Sequence, residues 1–312
     1  LMGDGETGAA IVEGDIDKVS FTGSVSTGRK VAESCARNLK PVTLELGGKD
    51  AMIVCTDADL DRAAQGAWLG SCMNTGHYCC GTERIYVVEQ VYDVFLKKVL
   101  AIGQDLKQGT EHGFDESVGA VFWDKQLQII ENHVEDAKAK GATVHMGGAR
   151  NDNLKGLYYL PTVLTDVNNQ MEIMVEETFG PILCLQKVRN ESEAIQLAND
   201  SKYGLNGNVW TQDKARGIKL ALQIDTGACS INDMAMSYGV PEAPFGGKKN
   251  SGIGQVNGKK GVRGYCHEMP ILLEKRGGRM PNGYPYSEKT ALNMIKFMRL
   301  LWLSTPLGRW LS

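Results

Sequence analysis

The segment from Asn74 to Gly81, which reads NTGHYCCG, contains the residues best suited to covalent chemistry. Two adjacent cysteines, Cys79 and Cys80, come just after a glycine turn. A cysteine becomes a nucleophile when its pKa is lowered and a substrate can reach it, and a turn at the end of a helix or strand can provide both conditions. The alternative is a pair of buried, unreactive thiols, which is common for free cysteine.

A second candidate is Glu45, in the segment TLELGGK over residues 43–49. Its carboxylate ends an apolar strand pattern and is followed by Gly47 and Gly48, and strand ends are where open α/β sheets place their sites. Burial would raise the pKa of such a carboxyl and suit it to act as a general base near neutral pH. Alternatively, the backbone amides of the Gly-Gly turn could satisfy the carboxylate.

Two glycine-containing turns could hold a phosphate group. The segment FTGSVSTG over residues 21–28 lies between a strand pattern and a helix pattern, and amides and hydroxyls at a helix N-terminus suit an anion. Gly3, Gly5 and Gly8 form a similar run ahead of a short helix. Residues 21–28 do not match the GxGxxG dinucleotide pattern, and an ordinary strand-turn-helix connection has the same composition, so neither run is specific alone.

Composition argues against several other classes of protein. The 312 residues are 42% hydrophobic and 23% charged, as in globular proteins. The 34 basic and 37 acidic residues give a net charge of -3, which argues against a nucleic-acid binder. The eight cysteines are irregularly spaced and the five histidines are scattered, so we expect no metal site and reduced thiols in a cytoplasmic location.

Alternating strand and helix patterns predict the elements that must position these residues. They indicate an α/β fold, a doubly wound and mostly parallel sheet with helices on both faces. The predicted strands cover residues 18–21, 41–46, 51–54, 84–88, 142–146, 158–164, 182–188 and 207–210, and the predicted helices cover 26–39, 57–69, 91–102, 125–139, 193–198 and 215–222.

The chain changes character after Lys275, where a Gly/Pro-rich linker runs over residues 276–287. Ser287 could cap a helix whose apolar residues follow helical spacing: Met294, Phe297, Met298, Leu301 and Trp302. Lys289, Lys296 and Arg299 fall on the other side. A basic amphipathic helix with Trp can lie on a membrane surface, and packing against a partner subunit or the body of the protein is the alternative.

Six motifs in one order resemble the aldehyde dehydrogenase superfamily over residues 1 to about 275, and their combination is far more specific than any one of them. They are FTGS at 21–24, ELGGK at 45–49, GHYC at 76–79, EETFGP at 176–181, YGL at 203–205, and PFGGK at 244–248 with Ser251 and Gly252. The resemblance implies oxidation of a small-molecule aldehyde to a carboxylic acid, with NAD or NADP as cofactor.

The resemblance also implies a role for each matched residue. Cys79 would form a thiohemiacetal and then a thioester, and Glu45 would activate the water that hydrolyses it. Gly23, Ser24 and Gly28 would face the pyrophosphate of the cofactor, and Leu46 and Gly47 would lie beside the nicotinamide. Glu177 would hold the nicotinamide ribose, and Phe179 would pack against that part of the cofactor. His77 stands where the family usually has Gln or Glu, so we expect altered tuning of the thiol.

Other activities of the same fold remain open at this point. A pseudoenzyme or assembly subunit would have no use for both Cys79 and Glu45. A relative that transfers the acyl group to coenzyme A would not need a water-activating base. A simple thiol esterase would use the same two residues without a cofactor.

The resemblance implies an architecture of four parts. Residues 1–46 would be the C-terminal part of a dinucleotide-binding domain, 47–255 a catalytic α/β domain, 256–279 a return to the cofactor domain with an oligomerisation strand at 270–273, and 280–312 a linker and basic amphipathic tail. We expect a homodimer or homotetramer, with peripheral membrane contact through the tail. We also expect this stretch to be the C-terminal part of a longer protein, poorly active alone and active when intact.

Overall fold

The computed structural model describes residues 1–109, 115–234, 236–274, 277, 284 and 287–305. The chain divides into two compact units, residues 1–266 and 267–312. The helices are α1 Gly5–Glu13, α2 Val25–Arg37, α3 Leu60–Cys72, α4 Glu89–Gln104, α5 Asp124–Ala139, α6 Glu172–Val175, α7 Glu191–Asn199, α8 Lys214–Ala221, α9 Met236–Gly239, α10 Gly258–Arg263 and α11 Glu288–Ser304. The strands are β1 Val19–Thr22, β2 Val42–Glu45, β3 Asp50–Val54, β4 Thr82–Val88, β5 Thr143–Met146, β6 Thr162–Thr165, β7 Ile182–Val188, β8 Tyr203–Gly204, β9 Gly207–Trp210, β10 Ser230–Ile231, β11 Lys248–Lys249 and β12 Gly252–Ile253.

A seven-stranded sheet, in the order β10-β9-β3-β4-β7-β6-β5, forms the centre of the first unit. Neighbouring strands are parallel except β5, which is antiparallel to β6. On β3, Ala51 and Ile53 pack into the core that includes α5 and α7, whereas Met52 and Val54 pack into the core of α3 and α4. Apolar side chains therefore leave both faces of the strand, which explains its unbroken hydrophobic pattern and confirms the predicted doubly wound α/β fold.

The first unit also contains a smaller, three-stranded sheet in the order β1-β2-β12. Glu45 is the last residue of its central strand, β2. β1 is parallel to β2 with Thr22 opposite Glu45, and β12 is antiparallel to β2 with Gly252 opposite Glu45. Val12, Val31 and Cys35 of α1 and α2 pack on this sheet. Residues 46–49 connect β2 of the small sheet to β3 of the large one.

Two predicted elements begin three or more residues later in the structure, and most other predicted boundaries differ by one or two residues. The helix predicted over 57–69 begins only at Leu60, because Asp59 is its N-cap and accepts a hydrogen bond from the Arg62 amide. Asp57 lies before the helix, where it pairs with Arg216 and accepts a 2.8 Å hydrogen bond from Thr211 Oγ1. The strand predicted over 158–164 begins at Thr162, because Pro161 has no N–H to donate to a sheet.

In the second unit, α11 begins where the sequence predicts a helix, after Ser287, whose hydroxyl accepts a 3.2 Å hydrogen bond from the Thr290 amide. Residues 270–273 are exposed and form no strand within this chain, so the oligomerisation strand stays a prediction. Most of the predicted linker, residues 276, 278–283 and 285–286, lies outside the described residues. Within the described ranges, no helix is both long and apolar enough to cross a membrane.

Candidate active site

The loop that carries Cys79 begins with three residues in the left-handed region. After α3 ends at Cys72, Asn74, Thr75 and Gly76 have φ values of 51°, 61° and 78°. The side-chain amide of Asn74 stabilises this turn by donating a 3.0 Å hydrogen bond to the carbonyl of His77. A Cβ atom at Gly76 would lie 2.2 Å from the Gly180 carbonyl, so only glycine lets this loop approach residues 176–181.

The thiol of Cys79 differs electrostatically from the other cysteines. The Cys80 side chain donates a hydrogen bond to it, and this bond together with backbone amides lowers the pKa of Cys79 to about 7. The other cysteines with perturbed pKa values are all shifted upward, by burial or, for Cys80, first by its bond to Cys79: Cys35, Cys55, Cys72, Cys80, Cys184 and Cys229. Cys79 is half-buried, and among these cysteines it is the one whose thiol ionises near neutral pH.

Glu45, the last residue of β2, is buried without a hydrogen-bond donor. Neither carboxylate oxygen accepts a hydrogen bond from the described residues. Burial raises the pKa of Glu45 to about 7, and the nearby Cys79 thiolate adds to the increase. The Gly48 amide, which could have satisfied this carboxylate, donates instead to Glu177. The geometry leaves Glu45 with the properties of a general base near neutral pH.

Gly47 and Gly48 bring the backbone against two further site residues. A Cβ at Gly47 would lie 2.3 Å from Glu177 Oε2, and one at Gly48 would lie 2.5 Å from the carbonyl oxygen of Cys79. The Gly48 amide donates a 3.0 Å hydrogen bond to Glu177 Oε1. Burial, with a contribution from Glu83, raises the pKa of Glu177 to about 8. The predicted residues Glu45, Gly47, Cys79 and Glu177 therefore lie in one place.

Glu83 anchors the segment 176–181 and was missed in the sequence. Its carboxylate accepts hydrogen bonds from two successive amides, 2.8 Å from Thr178 N and 2.9 Å from Phe179 N. It also pairs with the buried ammonium of Lys49, which donates a 3.3 Å hydrogen bond to Thr178 Oγ1. These contacts hold Phe179 in a left-handed conformation, φ 51°, which a residue of this size rarely adopts.

Asp50 and Asn206 form a second buried polar group behind the nucleophile, also missed in the sequence. The Asp50 carboxylate accepts a 3.1 Å hydrogen bond from the backbone amide of Asn206, and burial raises the pKa of Asp50. The Asn206 side chain donates toward the carbonyl of Cys80 at 3.4 Å. The signal that could have found Asp50 is the charged pair Lys49-Asp50 at the head of an otherwise apolar strand.

The residues predicted to face a cofactor pyrophosphate surround the start of α2. Ser24 is the N-cap of this helix, and its hydroxyl accepts a 3.2 Å hydrogen bond from the Thr27 amide. The Gly23 amide donates to the backbone carbonyl of Glu45 at 3.1 Å, which fixes the turn beside the base. A Cβ at Gly28 would lie 2.5 Å from the Leu46 side chain, so Gly28 allows α2 to pack on the segment after β2.

An aromatic group extends outward from the nucleophile loop. The His77 ring meets Phe122 edge-on at 5.0 Å between centroids and lies 5.5 Å from Phe179. Phe122 in turn lies 6.2 Å from Trp123. Burial lowers the pKa of His77, so its imidazole is uncharged at pH 7, and its Nε2 has no hydrogen-bond partner among the described residues.

The sequence profile of the aldehyde dehydrogenase family matches residues 1–270. The chain belongs to the aldehyde dehydrogenase family. It is 40% identical over 304 residues to the 4,4'-diapolycopene aldehyde oxidase of Methylomonas sp, a match covering 97% of this chain and 56% of the relative. The crystal structure of a Mycobacterium tuberculosis aldehyde dehydrogenase with NAD+ is 39% identical with a TM-score of 0.83, covering 88% of this chain and 56% of that one.

A betaine aldehyde dehydrogenase from Staphylococcus aureus, also solved with NAD+, is 37% identical with a TM-score of 0.79, covering 83% of this chain and 53% of that chain. The chain thus spans about half the length of the relatives it matches. These similarities to aldehyde dehydrogenases agree with the order of the six motifs in the sequence. The role of each site residue stays a prediction.

We expect Gly76→Ala to destabilise the intact protein by more than about 4 kcal/mol, because the new methyl group meets the Gly180 backbone. Gly141→Ala is the matched control, since Gly141 also has a positive φ but has open space around it. That variant should cost only the backbone strain, about 1 to 2 kcal/mol. Thermal or denaturant unfolding measures both, and equal losses would show that the contact with Gly180 is unimportant.

Proposed function

We propose that the intact protein oxidises an aldehyde to a carboxylic acid with NAD or NADP. The observation that carries this proposal is the pairing of a cysteine whose pKa is lowered with a buried, unsatisfied carboxyl whose pKa is raised, both to about 7. One group then acts as a nucleophile and the other as a base at the same pH. Membership of the aldehyde dehydrogenase family supports the reaction class.

The residues present fit a dinucleotide. The exposed N-terminus of α2, with Gly23 and Ser24, suits a pyrophosphate because its amides and helix dipole favour an anion. Gly47 lacks a Cβ next to the Glu177 carboxyl, which leaves that carboxyl open to ribose hydroxyls, and Phe179 offers a ring for packing. When bound, the nicotinamide supplies an acceptor for hydride.

Cys79 begins the reaction. Its thiolate attacks the aldehyde carbon, so that a C–S bond forms and the carbonyl electrons move to oxygen, giving a thiohemiacetal. Loss of hydride from the same carbon restores the C=O bond and leaves a thioester on Cys79. The hydrogen bond from Cys80 favours the thiolate both as the attacking group and later as the leaving group.

Glu45 completes the reaction. Its carboxylate takes a proton from water while the water oxygen attacks the thioester carbon. The C–S bond then breaks, the carboxylic acid leaves and the Cys79 thiolate is regenerated. Because Glu45 has no hydrogen-bond donor among the described residues, its oxygens are available to a water molecule. A coenzyme A acceptor would make this base unnecessary.

We further propose that the substrate is an apolar aldehyde. The aromatic side chains of His77, Phe122 and Trp123 run from the nucleophile loop to the surface and offer an apolar path. The relative from Methylomonas, named for a diapolycopene aldehyde, supports an apolar substrate. A long-chain or aromatic aldehyde should therefore have a higher kcat/KM than a short, charged aldehyde.

The architecture implied by the family belongs to the same proposal. Residues 1–46 would complete a dinucleotide-binding domain, 47–255 would form the catalytic domain and 256–279 would return to the first domain. Exposed apolar side chains at Ile271, Leu272 and Leu273 support pairing of this segment with a neighbouring subunit in a homodimer or homotetramer.

Substituting the nucleophile and the base should give different defects in the intact protein. Cys79→Ser should lower NADH or NADPH formation at least about a thousandfold. Glu45→Gln should keep a first burst of about one reduced cofactor per site and then slow turnover about 10²- to 10⁴-fold, since only hydrolysis of the thioester needs the base. Absorbance at 340 nm under rapid mixing measures both phases.

The control for these variants is Cys266→Ser, an exposed cysteine outside the site, which should leave turnover unchanged. Full activity of Cys79→Ser would contradict the proposal. Reduction that occurs only with coenzyme A present would favour acyl transfer, and ester hydrolysis without cofactor reduction would favour an esterase.

The rate should rise with pH through about 7. Cys79 and Glu45 both act in their deprotonated forms, and each is deprotonated above its pKa of about 7. We therefore expect kcat, which includes the hydrolysis that needs Glu45, to fall steeply below pH 6.5 and to level off above about pH 8. Initial rates at constant ionic strength measure this, and a profile that is flat from pH 5.5 to 8 would contradict the assigned pKa values.

A further inference from the structure

The helix α11, Glu288–Ser304, has one face without charged side chains, and its charged residues lie on the other side together with Leu292 and Leu303. At about 100° per residue, one arc of about 160° contains no charged side chain. This apolar arc consists of Thr290, Ala291, Met294, Ile295, Phe297, Met298, Leu301 and Trp302. The charged residues Glu288, Lys289, Lys296 and Arg299 share an arc of about 100° on the other side.

The large side chains of the apolar arc are exposed to solvent. Phe297 is 60% exposed, Met298 59% and Trp302 53%. Three such neighbours on one face form an apolar patch, and a contiguous patch of this kind marks an interaction surface. Trp302 lies at the edge of this arc, next to Ile295 and toward Arg299, where an amphipathic indole favours an interface between water and hydrocarbon.

The charges on the opposite side favour one kind of partner. Three basic residues and one acidic residue give this helix a positive charge, whereas the whole chain has a net charge of -3. A second copy of this chain has 34 basic and 37 acidic residues, so the negative charge that it offers is small. An anionic phospholipid surface provides both negative headgroups and an apolar layer beneath them.

We propose that α11 lies in the plane of an anionic membrane, with the apolar arc in the acyl region and Lys289, Lys296 and Arg299 at the headgroups. The helix has 17 residues and is about 25 Å long, which suits an in-plane orientation. The long stems of the basic residues can reach the headgroups from the side of the helix. Docking of this helix would bring the protein to the layer in which an apolar aldehyde dissolves.

Flotation of the intact protein with vesicles tests this proposal independently of catalysis. Vesicles of phosphatidylcholine with about 30% phosphatidylserine should bind the protein, and binding should weaken with added salt. The triple variant Lys289→Gln, Lys296→Gln, Arg299→Gln should bind on the order of a hundredfold less. Removal of residues 287–312 should abolish binding.

The matched pair Phe297→Glu and Leu300→Glu separates the two faces. Both variants change the net charge equally, and both residues are exposed, but Leu300 lies outside the apolar arc, next to Lys289 at the edge of the charged side. Phe297→Glu should weaken vesicle binding on the order of a hundredfold, because it places a charge in the acyl layer, and Leu300→Glu should have little effect.

Circular dichroism and turnover of a short, soluble aldehyde should be unchanged in both variants, which separates loss of docking from loss of folding or of the proposed reaction. Equal vesicle binding by the two variants would overturn the proposal. A change in oligomer size in Phe297→Glu, without a change in vesicle binding, would also overturn it and assign the arc to a second copy of the chain.

Discussion

The close approach of three backbone segments is the constraint on which the candidate site depends. Residues 46–49, the loop before Cys79 and the segment 176–181 meet where glycines leave no room for a Cβ. Gly48 lies against the Cys79 carbonyl, Gly47 against Glu177 and Gly76 against Gly180. These contacts bring residues that are far apart in the chain within reach of each other, and any side chain at these positions would separate the nucleophile from the acids around it.

Placing acids next to a thiolate is electrostatically unfavourable, and this repulsion raises the pKa values of the carboxyl groups. Lys49 is buried nearby, but it pairs with Glu83. If it paired with Glu45, the pKa of that carboxyl would fall, and a carboxylate with a low pKa is a weak base. Because Lys49 pairs with Glu83, Glu45 keeps a raised pKa of about 7. Burial and the charge of Glu83 raise the pKa of Glu177 to about 8, although Lys49 partly opposes this shift.

The pair formed by Lys49 and Glu83 has a structural role in the segment 176–181. Lys49 and Glu83 together fix Thr178 and Phe179, so the charged pair holds the loop instead of the reacting groups. A buried charge pair adds little net stability, but it is costly to break and therefore enforces one geometry. The left-handed conformation of Phe179 is the consequence, and it aims the ring toward His77.

The sequence predicts those features that depend on residues close together in the chain, and it does not predict contacts between distant residues. The unbroken apolar run of β3 and the helical patterns of α4 and α5 are local, so the layers and the parallel sheet could be predicted. Cys79 and Glu45 could be found because glycines mark their turns. Glu83 could not, because it lies in an ordinary strand and its partner amide is 95 residues away. The start of α3 was misplaced because Asp57 pairs with Arg216, 159 residues away.

The position of Glu45 relative to Cys79 limits how far the two residues can move apart. Glu45 ends a strand of the small sheet, whereas Cys79 immediately precedes β4 of the large sheet. Only the glycine-containing segment 46–49 joins β2 to β3 directly, and the Leu46 amide is tied to the carbonyl of Ser251 at 2.9 Å. Ser251 is fully buried, and its hydroxyl accepts a 2.9 Å hydrogen bond from the amide of Gly204, which lies in β8 just before β9 of the large sheet. The segment after Glu45 is thus also tied to the chain that leads into β9, which limits how far Glu45 can move away from Cys79.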